Sequence, residues 1–270
     1  MKFSVGFIGA GNMGGAIARG LAKSGTFAEE AITCTARTAG TLEKLRSTNP
    51  GFNLLTDNVA AVNGADIVVL AVKPWLMEGV IEEIRHSLNL EKQIIVSVAA
   101  GISCSQLQEW LTVEMPEKGS LSPAVFRVIP NTAVEVLESM TFISSIREGM
   151  PQLQLINHIF AKLGPTMVVP ESQISACTAL ASCGIAFAMR YIHASAQGGV
   201  EIGVRAADAQ KIVEHTLIGA AKLLLEKGTH PAAEIDKVTT PGGITIRGLN
   251  EMEHAGFTSS VIRGLKECVK

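Results

Sequence analysis

A glycine-rich turn, Gly9-Ala10-Gly11-Asn12-Met13-Gly14, follows a short apolar run near the start of the chain and precedes a helical pattern. Its G-x-G-x-x-G spacing is typical of a loop that binds the pyrophosphate of a dinucleotide. The first glycine permits the tight turn, the second lets the backbone approach the phosphates, and the third allows close packing of helix on strand. The N–H groups that begin the helix favour an anion. A glycine turn without a ligand is the alternative, which the position between strand and helix disfavours.

The next strand of the pattern indicates which dinucleotide binds. An NAD site usually has an acid at the end of this strand, about 20 residues on, to hold the ribose 2′-hydroxyl. Here the segment reads Thr33-Cys34-Thr35-Ala36-Arg37-Thr38, without an acid. A guanidinium between hydroxyls suits a 2′-phosphate, so the sequence predicts NADP(H). The alternative is that Arg37 is an ordinary solvated loop residue.

Two further strand ends are expected at the cofactor, because ligands of parallel sheets bind beyond the carboxyl ends of the strands. They are Ala71-Val72-Lys73-Pro74 and Ser97-Val98-Ala99-Ala100-Gly101, whose small residues leave room for ribose and nicotinamide. By residue type alone, Lys73 is more typical of a solvated lysine than of a ligand.

The second half of the chain lacks the base that alcohol oxidation normally requires. The stretch 177–184, CTALASCG, contains neither Lys nor acid, and the six histidines form no catalytic pairing in the sequence. Cys183 has no basic neighbour in the sequence and is predicted to be a small buried thiol. A protonated C=N bond needs only a hydride, so the absence of a base favours an imine substrate.

A carboxylate on such a substrate still needs a binding group, and the stretch Thr240-Pro241-Gly242-Gly243-Ile244-Thr245 can supply one. Its glycines expose backbone N–H groups at the start of a helix, and its threonines add hydroxyl donors. Gly243 is expected to leave space for the carboxylate. Taken alone, the segment reads equally as a plain helix cap.

The surrounding elements predict two domains. Residues 1–170 alternate apolar runs of strand length with helical patterns, which favours a parallel sheet covered on both faces. Residues 171–270 show helical patterns at 172–198, 205–227, 231–237, 244–255 and 258–269, and no convincing strand. Several of these helices are apolar on nearly all faces, so the domain is expected to pack against a second copy of itself.

Composition excludes several classes of protein. The net charge of −2 gives no electrostatic basis for binding nucleic acid or an anionic membrane. Five scattered cysteines, without a C-x-x-C pair, argue against a disulfide framework or a metal site and favour the cytoplasm. Residues 172–189 carry no charge and approach transmembrane length, but their Ser, Thr, Cys and Ala content favours a helix buried in protein.

The motifs IGAGNMGGAI, AVKP, SVAAGI, RVIPNT and VTTPGGITI together resemble the Δ1-pyrroline-5-carboxylate reductase family over essentially the whole chain. The last motif is quite specific to that family, whereas many families share the first. The resemblance implies an α/β Rossmann domain followed by an all-α dimerisation domain, with dimers that often assemble into rings. It also implies hydride transfer from NADPH, with lower preference for NADH, to the C=N carbon of 1-pyrroline-5-carboxylate, giving L-proline in the last step of proline biosynthesis.

Carried over by position, the resemblance implies two sets of site residues. The cofactor set is Gly9, Ala10, Gly11, Asn12, Met13, Gly14, Arg37, Asn58, Ala71, Val72, Lys73, Pro74 and Ala99. The substrate set is Glu171, Thr240, Gly243, Ile244 and Thr245, with Thr245 as the best hydrogen-bonding and catalytic candidate. Where the family usually reads G-S-G-P-A, this chain has Ser182-Cys183-Gly184-Ile185-Ala186, which changes a helix turn near the expected substrate site.

Three alternatives share part of this pattern. A β-hydroxyacid dehydrogenase would place a lysine on the first long helix of the second domain, and residues 172–189 contain none. An imine reductase could act on a different cyclic imine. A non-catalytic NADPH sensor would be expected to have lost the hydroxyl and amide cluster at 240–245, which is intact.

Overall fold

The computed structural model describes residues 3–115, 119–146, 149 and 151–269. The chain divides into two compact units, Met1–Ala181 and Ser182–Lys270. The first unit is built on an open sheet, and the second consists of helices in the part that the structure describes.

An eight-stranded sheet forms the centre of the first unit. The strands of this unit are β1 (Val5–Ile8), β2 (Ile32–Thr35), β3 (Asn53–Leu55), β4 (Ile67–Leu70), β5 (Ile94–Ser97), β6 (Val113–Met115), β7 (Gly119–Leu121), β8 (Ala124–Ile129), β9 (Thr141–Ser144) and β10 (Thr166–Val168). The sheet order is β10-β9-β8-β5-β4-β1-β2-β3, and β6 and β7 form a separate antiparallel hairpin. Every neighbouring pair in the sheet is parallel except β8 and β9, which are antiparallel. The predicted parallel sheet is therefore confirmed at every pairing except this one.

Helices cover both faces of the sheet, as predicted. They are α1 (Asn12–Lys23), α2 (Ala39–Thr48), α3 (Asn58–Asn63), α4 (Met77–Ile84), α5 (Cys104–Leu111), α6 (Pro151–Phe160) and α7 (Ile174–Thr178). Side chains of consecutive strand residues point to opposite faces. Phe7 thus joins one buried cluster with Ile17 and Phe160, whereas Ile8 joins the other with Met77.

The second unit contains α8 (Gly184–Glu201), α9 (Ala206–Lys227), α10 (Pro231–Asp236), α11 (Ile244–His254) and α12 (Phe257–Glu267). Close to its start, residues Ala179–Cys183 form one turn of π-helix, so the single helix predicted at 172–198 is α7, this π turn and α8. A π turn holds one extra residue and often occurs at functional sites. The other helices agree with the predicted ranges within a few residues.

Apolar side chains of the second unit are largely exposed in the single chain. Ala209 is its one buried hydrophobic residue among those that the structure describes, and it packs on α8 because Gly199 lets the two helices approach. By length and composition alone, the run Glu171–Glu201 could cross a membrane. Only 11% of its most apolar window is buried, so the prediction of a helix buried in protein does not hold for the chain taken alone.

Candidate cofactor and substrate sites

A cavity of about 890 Å³ opens at the carboxyl ends of β1, β2, β4 and β5. The strand order changes direction at β1, since β2 lies on one side of it and β4 on the other. Open α/β sheets bind their ligands at such a crevice. The fold therefore places this cavity where the sequence predicts the dinucleotide.

The three glycines of the turn differ in what surrounds them. Gly9 has φ +95°, and a Cβ there would lie 2.7 Å from Cγ1 of Val72. A Cβ on Gly14 would lie 2.5 Å from the Gly9 oxygen and 2.8 Å from Cβ of Ala71, so α1 packs directly on the strand ends. A Cβ on Gly11 would meet no atom within 4 Å, because this position faces the cavity. These surroundings fit the roles of turn, packing and ligand approach.

The N-terminus of α1 is available to an anion. Its cap residue is Gly11, no described side chain caps the helix, and its first turn has no acid. The N–H groups of the first helical residues therefore point, with the positive end of the helix dipole, toward the cavity that Asn12 and Met13 line. A pyrophosphate fits this cradle.

Thr35, at the end of β2, connects the glycine turn to the far side of the cavity. Its backbone oxygen accepts a 2.7 Å hydrogen bond from N–H of Ala10, and its hydroxyl accepts one from Gly9 at 3.3 Å. The same hydroxyl donates to Oδ1 of Asn58 at 2.7 Å, and Nδ2 of Asn58 donates to Glu83 at 2.9 Å. The side chain of Thr35 is buried, so these bonds fix three cavity walls to one another.

Arg37 lies on the cavity wall between the end of β2 and the start of α2. Thr38 and Thr41 line the same part, with their hydroxyl oxygens 2.9 Å apart. One cation, two hydroxyls and the start of a helix form a suitable environment for a phosphate monoester. This arrangement fits the 2′-phosphate of NADP(H).

Most of the cofactor set that the sequence predicts lies together in this cavity. Its lining includes Gly9, Gly11, Asn12, Met13, Arg37, Asn58, Ala71, Val72, Lys73, Pro74 and Ala99. Ala10 and Gly14 do not line it: the N–H of Ala10 is bonded to Thr35, and Gly14 packs against β4's end. Sequence reasoning missed the face of α4, where Gly79, Val80 and Glu83 line the cavity. Their spacing (i, i+1, i+4) places the three residues on one side of a helix, which could have indicated a shared surface.

Glu171 of the predicted substrate set occupies a structural position in the first unit. Its Oε1 accepts a 2.6 Å hydrogen bond from N–H of Cys104, the first residue of α5, and lies 3.3 Å from Nη1 of Arg127. Both charged side chains are largely buried. Burial first, and then the charge of Glu171, raise the pKa of the Cys104 thiol to about 12. The Glu171 carboxylate therefore connects the start of α5 to Arg127 of β8. Its role in binding the substrate stays a prediction.

The other four substrate-set residues form one turn in the second unit. N–H of Gly243 donates to the Thr240 oxygen at 2.9 Å, and Gly242 has φ +68°. A proline at the second position of the turn and a glycine with positive φ at the third position are typical of a type II turn. The turn ends at Gly243, the cap residue of α11, which no described side chain caps. Backbone N–H groups of Ile244 and Thr245 at this helix start are thus available to an anion, and both residues are exposed.

Gly243 also has a structural role within the turn, whereas its predicted role in leaving space for the carboxylate stays a prediction. A Cβ on it would lie 2.7 Å from Oγ1 and 2.9 Å from the backbone oxygen of Thr240. The space is taken by the turn itself, so the glycine closes the turn.

Two family models match the chain. The model described as pyrroline-5-carboxylate reductase dimerisation matches residues 171–270, and the model described as NADP oxidoreductase, coenzyme F420-dependent, matches residues 4–101. Pyrroline-5-carboxylate reductase of Methanosarcina acetivorans is 36% identical, over 96% of this chain and 94% of that protein. The chain belongs to the pyrroline-5-carboxylate reductase family.

Other members of the reductase family agree with this assignment. Pyrroline-5-carboxylate reductase 1 of Dictyostelium discoideum is 41% identical over 97% of this chain, which spans 48% of that longer protein. The solved reductase of Coxiella burnetii superposes with a TM-score of 0.85 at 28% identity, covering 100% of this chain and 97% of that one. The dimerisation model begins at residue 171, as the predicted domain does, whereas packing divides the chain after Ala181. The predicted boundary at 170/171 therefore stays a prediction.

Proposed function

We propose that this chain is an NADPH-dependent reductase that converts 1-pyrroline-5-carboxylate to L-proline. One observation carries the proposal: a cavity lined by the glycine turn, Arg37, Thr38 and Thr41, in a chain whose second unit has an uncharged turn before an uncapped helix start. Membership of the reductase family and the NADP oxidoreductase match support the same reaction.

When bound, NADPH supplies a hydride from C4 of its nicotinamide. The chain's own part is positioning and charge complementarity. Met13 and the N-terminus of α1 hold the pyrophosphate, Arg37 neutralises the 2′-phosphate, and Ala71 and Ala99 leave room for the rings. Thr240 and the start of α11 hold the substrate carboxylate through hydroxyl and N–H donors, and Thr245 donates toward the carboxylate or the ring nitrogen.

A carboxylate held by amides and hydroxyls has a chemical advantage for this substrate. A lysine or arginine near the ring would repel the iminium cation and favour the unreactive neutral imine. The turn at 240–245 provides donors without a net charge, and hydride addition to the iminium carbon needs no base.

The proposal extends to assembly and location. The exposed apolar faces of α8 and α9, together with the match to a dimerisation model, support a homodimer formed by the helical unit. We infer that such dimers can assemble further into a ring. All five cysteines are free thiols, which supports a reducing compartment such as the cytoplasm.

The test is turnover of NADPH with 1-pyrroline-5-carboxylate, followed by loss of the reduced nicotinamide absorbance and by identification of proline. NADH and an open-chain 3-keto acid serve as alternative cofactor and substrate. Imine-dependent oxidation of NADPH, faster than with NADH, is the expected result. NADPH binding without turnover of the imine would refute the proposed substrate.

Thr245→Ala tests the substrate turn separately. Loss of one hydrogen bond to a charged group should lower kcat/KM for the imine about 10- to 100-fold, with little change in NADPH affinity. Thr239→Ala is the matched control, because the Thr239 hydroxyl donates to the backbone oxygen of Ile235 in the last turn of α10. Equal effects of the two substitutions would remove Thr245 from the site.

A further inference from the structure

Two cysteines of the second unit lie at the ends of neighbouring helical segments. Cys183 is the last residue of the π turn and directly precedes α8, and Cys268 directly follows α12. Cys268 is exposed and Cys183 is partly exposed, so the prediction that Cys183 is a small buried thiol is wrong.

The packing of α8 on α12 brings these ends together. The ring centroids of Tyr191 and Phe257 are 6.5 Å apart in an edge-on contact. A second contact joins Phe187, four residues before Tyr191 on α8, to Gly264, seven residues after Phe257 on α12. The ring of Phe187 lies 3.7 Å from the Cβ position of Gly264. The two helices therefore run antiparallel. One further helical turn toward the start of α8 and the end of α12 leads to Cys183 and Cys268.

This register places the side chains of Cys183 and Cys268 next to each other at the same end of the two helices. A hydrogen bond with the Cys183 side chain is the main cause that raises the pKa of the Cys268 thiol above its ordinary value. The contact joins residues 85 positions apart in sequence. Of the other three thiols, Cys34 and Cys104 are buried in the first unit and Cys177 lies on α7, also in the first unit.

We propose that Cys183 and Cys268 form a reversible intramolecular disulfide and that this pair is a site of modification by low-molecular-weight disulfides. The thiolate of the exposed Cys268 attacks one sulfur of the reagent RSSR, forming a mixed disulfide and releasing one RS⁻. The Cys183 thiolate then attacks Sγ of Cys268, the second RS⁻ leaves, and the protein S–S bond forms. The protein loses two electrons and two protons, and RSSR is reduced to two RSH.

The bond would tie the end of α12 to the π turn. That turn holds an extra residue in an otherwise α-helical run, so a covalent tie at Cys183 fixes the local helix register. The inference concerns the thiol pair and does not depend on the proposed substrate.

The test uses the folded full-length chain and an aromatic disulfide, dithiobis(nitrobenzoate). The expected result is release of two thionitrobenzoate anions per Cys183–Cys268 pair, with neither residue retaining the label. Peptide mapping without reductant should find the two cysteine peptides linked, and the chain should migrate as a monomer in a denaturing gel. Reduction with a dithiol should restore both thiols.

The single variants decide the assignment. In Cys183→Ser the reaction should stop after one anion, leaving Cys268 labelled, and in Cys268→Ser no linked peptide should form. Cys177→Ser is the matched control and should keep the linked peptide. A stable label on Cys268 in the parent chain, or a disulfide between two chains, would overturn the proposal.

Discussion

The two units of this chain have similar apolar content but use it differently. In the first unit, alternate strand residues fill two large clusters, one on each face of the sheet, which the unit's own helices cover, and a third, smaller cluster contains Ile129 and Phe142. In the second unit, Ala209 is the one buried hydrophobic residue within the described part of the chain, and Ile212, Ile218 and Leu223 of α9 remain about half exposed. A sheet with helices on both faces completes its own core, whereas a layer of helices needs a second layer. The difference indicates that the second copy of the chain supplies the missing layer.

Leu223→Glu tests the open core of the second unit and has the largest expected effect. A carboxylate placed in an apolar interface costs several kcal/mol, so the dimer should dissociate at micromolar concentration and lose thermal stability. Light scattering after size exclusion measures the mass. Val136→Glu, at an exposed apolar position of the first unit, should leave the mass unchanged. A Leu223→Glu variant that remains dimeric would contradict the inference that a second copy of the chain covers α9.

Gly14→Ala tests the closed packing of the first unit. The new methyl would collide with the Gly9 oxygen and with Ala71, which should cost about 1–3 kcal/mol of unfolding free energy and displace the phosphate cradle. Gly40→Ala, in α2 with open space around its Cβ position, should be neutral or slightly stabilising. Urea denaturation and NADPH titration report the two effects. Unchanged binding in Gly14→Ala would contradict the packing role.

Arg37→Ala tests the cofactor preference at an exposed position that contributes no side chain to the buried clusters. Loss of a charge-assisted phosphate contact should raise the KM for NADPH about 10- to 100-fold and leave that for NADH nearly unchanged. The control is Arg46→Ala on the following helix, α2, where the guanidinium is exposed and lies 3.9 Å from the Glu43 carboxylate. An equal loss with both cofactors would remove Arg37 from the 2′-phosphate site.

Arg19→Gln should have the smallest effect. Its ion pair with Glu135 is short, at 2.8 Å, but both side chains are more than a third exposed. Such pairs contribute about 0.5 kcal/mol, because the stability of the first unit comes from its buried clusters. The midpoint of urea denaturation should therefore barely move. A shift equivalent to more than about 1.5 kcal/mol would show that this unit depends on its surface charges.

The sequence predicts the central strands well because they are buried on both faces and form continuous apolar runs. The apolar run at 124–129, for example, predicts a strand with the bounds that β8 has. The missed elements are short or weakly amphipathic: α2 buries only Leu42 and Leu45, and β3 has three residues at the edge of the sheet. The reversed direction of β9 was also missed, since apolar periodicity carries no information about strand direction.

The candidate sites show the same limit. Glycine spacing and the Thr-Arg-Thr pattern are local, so the cradle and Arg37 could be predicted from neighbouring residues. Glu83 could not, because a glutamate on an amphipathic helix is typical of a solvated face, and only the fold brings it within 2.9 Å of Asn58. Glu171 was placed by resemblance alone, and its bond to the start of α5 depends on residues 67 positions apart.

The uncovered helical unit also has a genetic consequence. When two copies of a chain complete one core, a defect in one copy also affects the stability or activity of the other. In a cell that makes both an intact and a damaged chain, mixed dimers would carry the damage into assemblies that contain an intact subunit. A charge on α9 that prevents pairing would remove only its own chain. A flaw that still permits pairing, such as a distorted π turn, would reach its partner as well.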